Sequence, residues 1–347
     1  MMPIAARRVF RLSVTVALTL AVAYGMRMSM PYVAPIFAIF LTLAPKPPMG
    51  IKGLFGVVIF VTITTGVGLL LVPLLTHFPA SALLIAFAGL YLSNYLSVNL
   101  GKAPVGAFLT IGITLISAAG YASYTLADTV IEAIALGIAL AIVCQWIVYP
   151  FFPEDAGPAA DKAPAPPAGT SNWIALRATL IVLPTYLMAL TNPAMYMAVV
   201  MKSVSLGQQS SILNMRSAGR ELLGSTFLGG TLAILVWLGL GMGVSLWMFF
   251  LWVLLVTVYF ASKIYGLLKT RFPASFWTNT GVTMLILLGS AVQDSATGKD
   301  VYKAFAIRMA LFVVVTLYAW AAVLLLEYLR VRRLNRRTRV MPVTEVS

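Results

Sequence analysis

The sequence predicts an all-α polytopic membrane protein of about 12 transmembrane helices, arranged as two six-helix parallel repeats. Three observations lead there. Hydrophobic residues make up 61% of the 347-residue chain and charged residues 10%, against about 25% charged in a soluble domain, so the bilayer is the solvent. The charges punctuate a series of apolar segments, most of them near the roughly 20 residues that a helix needs to cross. Finally, one pattern occurs twice. Ser93, Lys102, Pro104 and Gly112 answer Ser262, Arg271, Pro273 and Gly281 at an offset of 169 residues, and Gly56 and Gly66 answer Gly219 and Gly229 at an offset of 163. A period this long in so apolar a chain points to two copies of a multi-helix unit, an arrangement common among carriers.

The first set of spans reads as 9–26, 31–45, 53–75, 80–99, 103–122 and 129–149. The second reads as 173–190, 193–207, 219–238, 244–265, 274–292 and 305–327. Segments 31–45 and 193–207 are short, hold equivalent places and begin at Pro31 and Pro193. Matched short spans suggest tilted or broken helices near a functional site, or hairpins supported by their neighbours. Residues 1–149 form the first membrane unit and 173–329 the second. Between them, 150–172 is a Pro/Ala-rich linker, a composition that stays extended. Residues 330–347 form a basic tail, with arginines at 330, 332, 333, 336, 337 and 339 expected to lie along anionic lipid as a helix extension.

Charge orients the chain. With both termini cytoplasmic, 20 of the 24 basic residues, Arg11, Arg177 and Lys202 among them, fall on the inner side; Arg27, Lys299, Lys303 and Arg308 fall outside. The net charge of +14 is thereby explained by topology, and no nucleic-acid partner is expected. Arg7-Arg8-Val9-Phe10-Arg11 ahead of an apolar stretch mimics a secretory signal. The equivalent place in the second half holds an ordinary span, so 9–26 is read as a retained first helix.

Several chemistries are excluded. Cys144 is the single cysteine and His77 the single histidine, which leaves no disulfide framework and no metal-ligand cluster. No GxxxxGK[ST], GxSxG or HExxH is present, and neither an enzyme activity nor a cofactor is expected.

Small residues crowd the second unit's third span: Gly219, Gly224, Thr226, Gly229 and Gly230, matched by Gly56 and Gly66 in the first. Such a face lets helix backbones approach closely, or leaves room for a ligand. Arg216 and Arg220 are four apart on one helical face with Glu221 adjacent. They serve either as inner-side anchors or as a docking fork for an anionic substrate, since guanidinium groups bind carboxylates in bidentate fashion. Carboxylates are scarce, and none falls at mid-bilayer depth. The coupling or gating candidates are Asp128 and Glu132 at the outer end of the sixth span, Asp294 after the eleventh, and Arg308 opening the twelfth, which pseudo-symmetry places near Glu132. Trp237 and Trp277 are candidates for stacking an aromatic substrate.

The run Arg216-Ser217-Ala218-Gly219-Arg220-Glu221-Leu222-Leu223-Gly224-Ser225-Thr226-Phe227-Leu228-Gly229-Gly230 approximates Arg-x-x-Gly-Thr-x-x-Gly, with one extra residue before Thr226. Lys52-Gly53 … Gly56 … Thr62 … Thr65-Gly66-Val67-Gly68 is its counterpart, with lysine in place of arginine, and Arg308-Met309-Ala310-Leu311 opens the last helix. Over most of residues 25–330 the chain thereby resembles the fusaric acid resistance, or aromatic acid exporter, family of bacterial inner-membrane proteins, in its short branch lacking the large cytosolic domain. That resemblance implies efflux of small aromatic or anionic compounds, with a periplasmic adaptor and an outer-membrane channel as partners. A small-molecule substrate, membrane lipid and further copies of the chain complete the expected partners. The expected function is a secondary efflux transporter, or the inner-membrane component of an efflux system; the alternative is a membrane scaffold or accessory subunit that recruits a partner through its basic tail.

Overall fold

The computed structural model describes residues 2–155, 168–209 and 218–340, and every regular element among them is helical. Among the described residues there are twelve apolar segments. The first six are α1 (Ile4–Gly25), α2 (Val33–Leu43), α3 (Ile51–His77), α4 (Pro79–Asn99), α5 (Ala103–Ala122) and α6 (Tyr124–Val148). The others are α7 (Ala168–Thr191), α8 (Pro193–Gln209), α9 (Ala218–Gly241), α10 (Leu246–Ile264), α11 (Ala274–Ala296) and α12 (Val301–Val340). Ten are long and apolar enough to cross a membrane, which makes this a multi-pass helical membrane protein. The two that fall short are α2 and the Met195–Leu206 part of α8, the same pair whose shortness the sequence shows.

Local chemistry sets the breaks. Pro79 and Pro104 sit in the first turn of α4 and α5, where a missing N–H costs nothing. Ser245 caps α10 by accepting the Met248 N–H. Gly101 and Gly266 follow α4 and α10 with φ of 62° and 76°, left-handed geometry that glycine adopts without strain. Pro73 cannot donate within α3, and the turn before it, Val67–Leu70, tightens to 3-10 geometry. In α5 the turn Gly112–Ile116 widens to π geometry. The two irregular turns cross at Gly68, where a Cβ would collide with the Gly112 carbonyl. The tail is not a separate element, because α12 runs unbroken to Val340.

Helix pairings in the first six recur among the second six when six is added to each label. α1 packs on α2 and α6 as α7 packs on α8 and α12; α3 packs on α4, α5 and α6 as α9 packs on α10, α11 and α12. The pairings between the two sets correspond too: α1 with α10 and α7 with α4, α2 with α11 and α8 with α5. α11 is the central helix, 89% buried across its apolar window, and is also the least apolar of the spanning helices. α12, the most apolar, is 28% buried. Polar groups such as Asn279, Thr280 and Thr283 belong inside such a bundle, because lipid offers them no hydrogen bonds.

Candidate functional site: an apolar cavity beside a buried lysine

A cavity of about 480 Å³ opens between α2, α3, α5 and α6 of the first set and α8 and α11 of the second. Its aromatic wall is made by Phe37 and Phe40 of α2, Phe60 of α3 and Phe108 of α5. Phe108 lies 5.9 Å from Phe37 and 6.2 Å from Phe60 between ring centroids. Ile134 and Ile138 of α6, Met201, Val204 and Ser205 of α8, and Val282 and Ile286 of α11 close the rest. The volume lies within the range of small-molecule sites, which are mostly apolar with a few placed polar groups. Here Ser205 supplies the only hydroxyl in the wall among the described residues.

Lys202, next to Met201 on α8, is fully buried. Its Nζ donates to Asn279 Oδ1 at 3.0 Å and Thr283 Oγ1 at 2.7 Å, both on α11. Asn279 in turn donates through Nδ2 to the hydroxyl of Ser225 on α9. Among the described residues no carboxylate comes within ion-pair distance of Lys202. The lysine, counted among the inner-side cations from the sequence, lies inside the bundle and not on its surface.

Other basic groups near the helix ends are paired. Arg11 is 3% exposed and meets Glu154 Oε2 at 2.7 Å, while Arg8 Nε donates to Glu154 Oε1 at 2.8 Å and Arg7 engages Asp155. This fastens the start of α1 to the chain leaving α6. Arg177 of α7 meets Glu327 of α12 at 2.8 Å, the corresponding join in the second set. Arg11 and Arg177, also expected to act as inner-side topology signals, are therefore buried structural groups. Partial burial would by itself raise the Glu154 carboxyl, but the Arg8 and Arg11 guanidiniums outweigh it and hold the group below the usual carboxylate range.

The sequence candidates separate clearly. Arg308 pairs with Asp294, with Nη2 to Oδ1 at 3.1 Å, and not with Glu132. The reason is proximity: α11 and α12 are joined by a short turn, so the end of one faces the start of the next. Asp128 and Glu132 are exposed on α6, away from the face that carries Ile134 and Ile138. Arg220 is exposed at the start of α9 with Glu221 half-buried after it, and neither lines the cavity. Arg216 lies outside the described residues.

Gly224, Gly229 and Gly230 face Phe276, Thr283 and Met309 closely, and Thr226 is buried within hydrogen-bond reach of Thr316. Gly219 is in the first turn of α9. Gly56 and Gly66 have open space where a Cβ would sit, and the close contact in the first set is made by Gly68 instead. Trp277 packs edge-on to Tyr259 and Phe276 and does not reach the cavity; Trp237 does not line it either. Sequence reasoning missed Asn279 and set Lys202 aside with the other inner-side cations. The signal for Lys202 was its place inside a short matched segment.

The family described as "Protein of unknown function (DUF2955)" matches residues 8–148. The matched stretch begins in α1 and stops at the last residue of α6. No curated protein and no solved structure gives a significant match to the chain.

Proposed function

We propose that the protein is a secondary exporter of small aromatic or anionic compounds in a bacterial inner membrane, built from two six-helix units of the same orientation with both termini cytoplasmic. The observation that carries this reading is the cavity, whose walls come from both halves of the chain at a place where duplicated carriers hold substrate. Three others support it. Helix pairings repeat under a shift of six. An Arg–Glu pair ties the first helix of one set to the chain after its sixth, and another ties the first helix of the other set to its sixth. The family match ends where the first set ends. The likeness to aromatic acid exporters supplies the substrate class.

The reading is tested by efflux. Cells that express the chain should retain less preloaded 2-naphthoate than cells carrying an empty vector, and a deletion strain should become more sensitive to aromatic acids. Equal retention and equal sensitivity across a panel of aromatic acids and amides would overturn it. For topology, reporters fused at Asp161 and after Arg339 should both read cytoplasmic; a periplasmic signal at either refutes the orientation.

A further inference from the structure

We infer that Lys202 is the group that recognises the anion, holding the carboxylate of a ligand whose apolar body fills the neighbouring cavity. The inference rests on the exporter reading and names the charge that reading lacks. Three observations carry it.

First, among the described residues the cavity wall has no cation, so those residues can hold an aromatic body but not a carboxylate. Second, Lys202 sits on one of the two helices that close one side of the cavity and reaches across to the other. Met201, Val204 and Ser205 of α8 face the cavity, while Lys202 turns to the seam with α11. On α11, Val282 and Ile286 face the cavity while Asn279 and Thr283 receive the ammonium. The charge is thus one side-chain swing from the ligand space, at the end of a flexible four-carbon stem.

Third, Lys202 differs in kind from the other buried cations. Arg11 and Arg177, like the half-buried Arg308, each face a carboxylate; Lys202 faces an amide oxygen and a hydroxyl. Two of its three N–H donors are used, and the third has no partner among the described residues. A buried ammonium without a counter-ion costs several kcal/mol, and within membranes such a residue marks a ligand or ion path more often than a structural tie. A ligand carboxylate would supply the missing negative charge and accept the third donor.

The experiment uses the full chain in nanodiscs at pH 7, with 2-naphthoate and its neutral isostere 2-naphthamide as probes, read by ligand-induced thermal shift and by binding titration. Wild type should bind naphthoate about tenfold more tightly than naphthamide, the scale of one charge-assisted hydrogen bond. Lys202→Gln keeps an N–H donor for Asn279 and Thr283 but removes the charge; it should bind both probes equally, at the naphthamide level. Lys202→Met should do the same, which guards against one variant failing to fold. A merely structural lysine would lower the melting temperature of both variants yet leave the naphthoate preference intact, and that result overturns the inference alone. Wild type that binds naphthamide but not naphthoate also overturns it, while the cavity reading stands. Binding of neither probe overturns both.

Discussion

The α2–α5 region and the α8–α11 region, which correspond under a shift of six in helix pairings, both border the cavity, yet only the second is bridged by a buried lysine. Between α2 and α5, Phe37 and Phe108 touch while Ala107 and Phe40 border the cavity. Between α8 and α11, Lys202 reaches across to Asn279 and Thr283 and draws the helices together. At the offset of 169, Ala107 and Phe108 correspond to Phe276 and Trp277, and at the offset separating Pro31 from Pro193, Phe40 corresponds to Lys202. Small against large, and apolar against charged, are the differences in sequence between these two regions. In the proposed reading both halves wall the cavity and the second half alone supplies the charge.

The sharpest way to break this contrast is to fill the cavity from the first region. Ala107→Trp should lower efflux of an aromatic acid by at least about tenfold, equivalent to 1.4 kcal/mol of lost binding, with normal membrane yield. Undiminished efflux in a well-expressed variant would remove the cavity from the pathway.

Next come the two Arg–Glu joins, which should differ in strength. Glu154→Gln strands Arg8 and the buried Arg11, and should cost about 3 kcal/mol of stability. Glu327→Gln should cost less, about 2 kcal/mol, because Glu327 is the more exposed partner. Thermal unfolding in detergent ranks them; the reverse order would refute the account. The Glu154 join should also respond to acid. Its folded carboxyl is held below the unfolded value of about 4.3, so its contribution is fully present above that pH and is lost as pH falls through the folded value. Melting temperature followed from pH 6 to pH 3 should therefore fall more steeply in wild type than in Glu154→Gln.

The smallest effects test how the two sets use glycine. Gly68→Ala should destabilise by about 2 kcal/mol, because its Cβ would press on the Gly112 carbonyl. Gly229→Ala should cost about 1 kcal/mol through contact with Thr283. Gly66→Ala meets open space and should be neutral or stabilising by up to about 1 kcal/mol through helix propensity. A large loss at Gly66 would show that its face is covered by something beyond this chain.

Much of the architecture is legible in the sequence because lipid imposes a simple rule. Each crossing needs a long apolar run, so the helix boundaries, the two short segments and the Pro and Gly punctuation all appear in the order of residues. The spacing of Gly219, Gly224, Gly229 and Gly230 likewise announces a close helix contact, and α9 does pack tightly on α11. What the sequence could not determine is which charges face one another. Symmetry places Arg308 near Glu132, but a short turn hands it Asp294. Lys202 looked like one more inner-side cation, since one-dimensional position places a residue at a depth and not on a face. The packing of α8 against α11 turns that lysine inward, and the cavity forms where helices from both halves of the chain meet. Pairing and empty volume depend on distances between helices far apart in the chain, and those distances are set by tertiary structure.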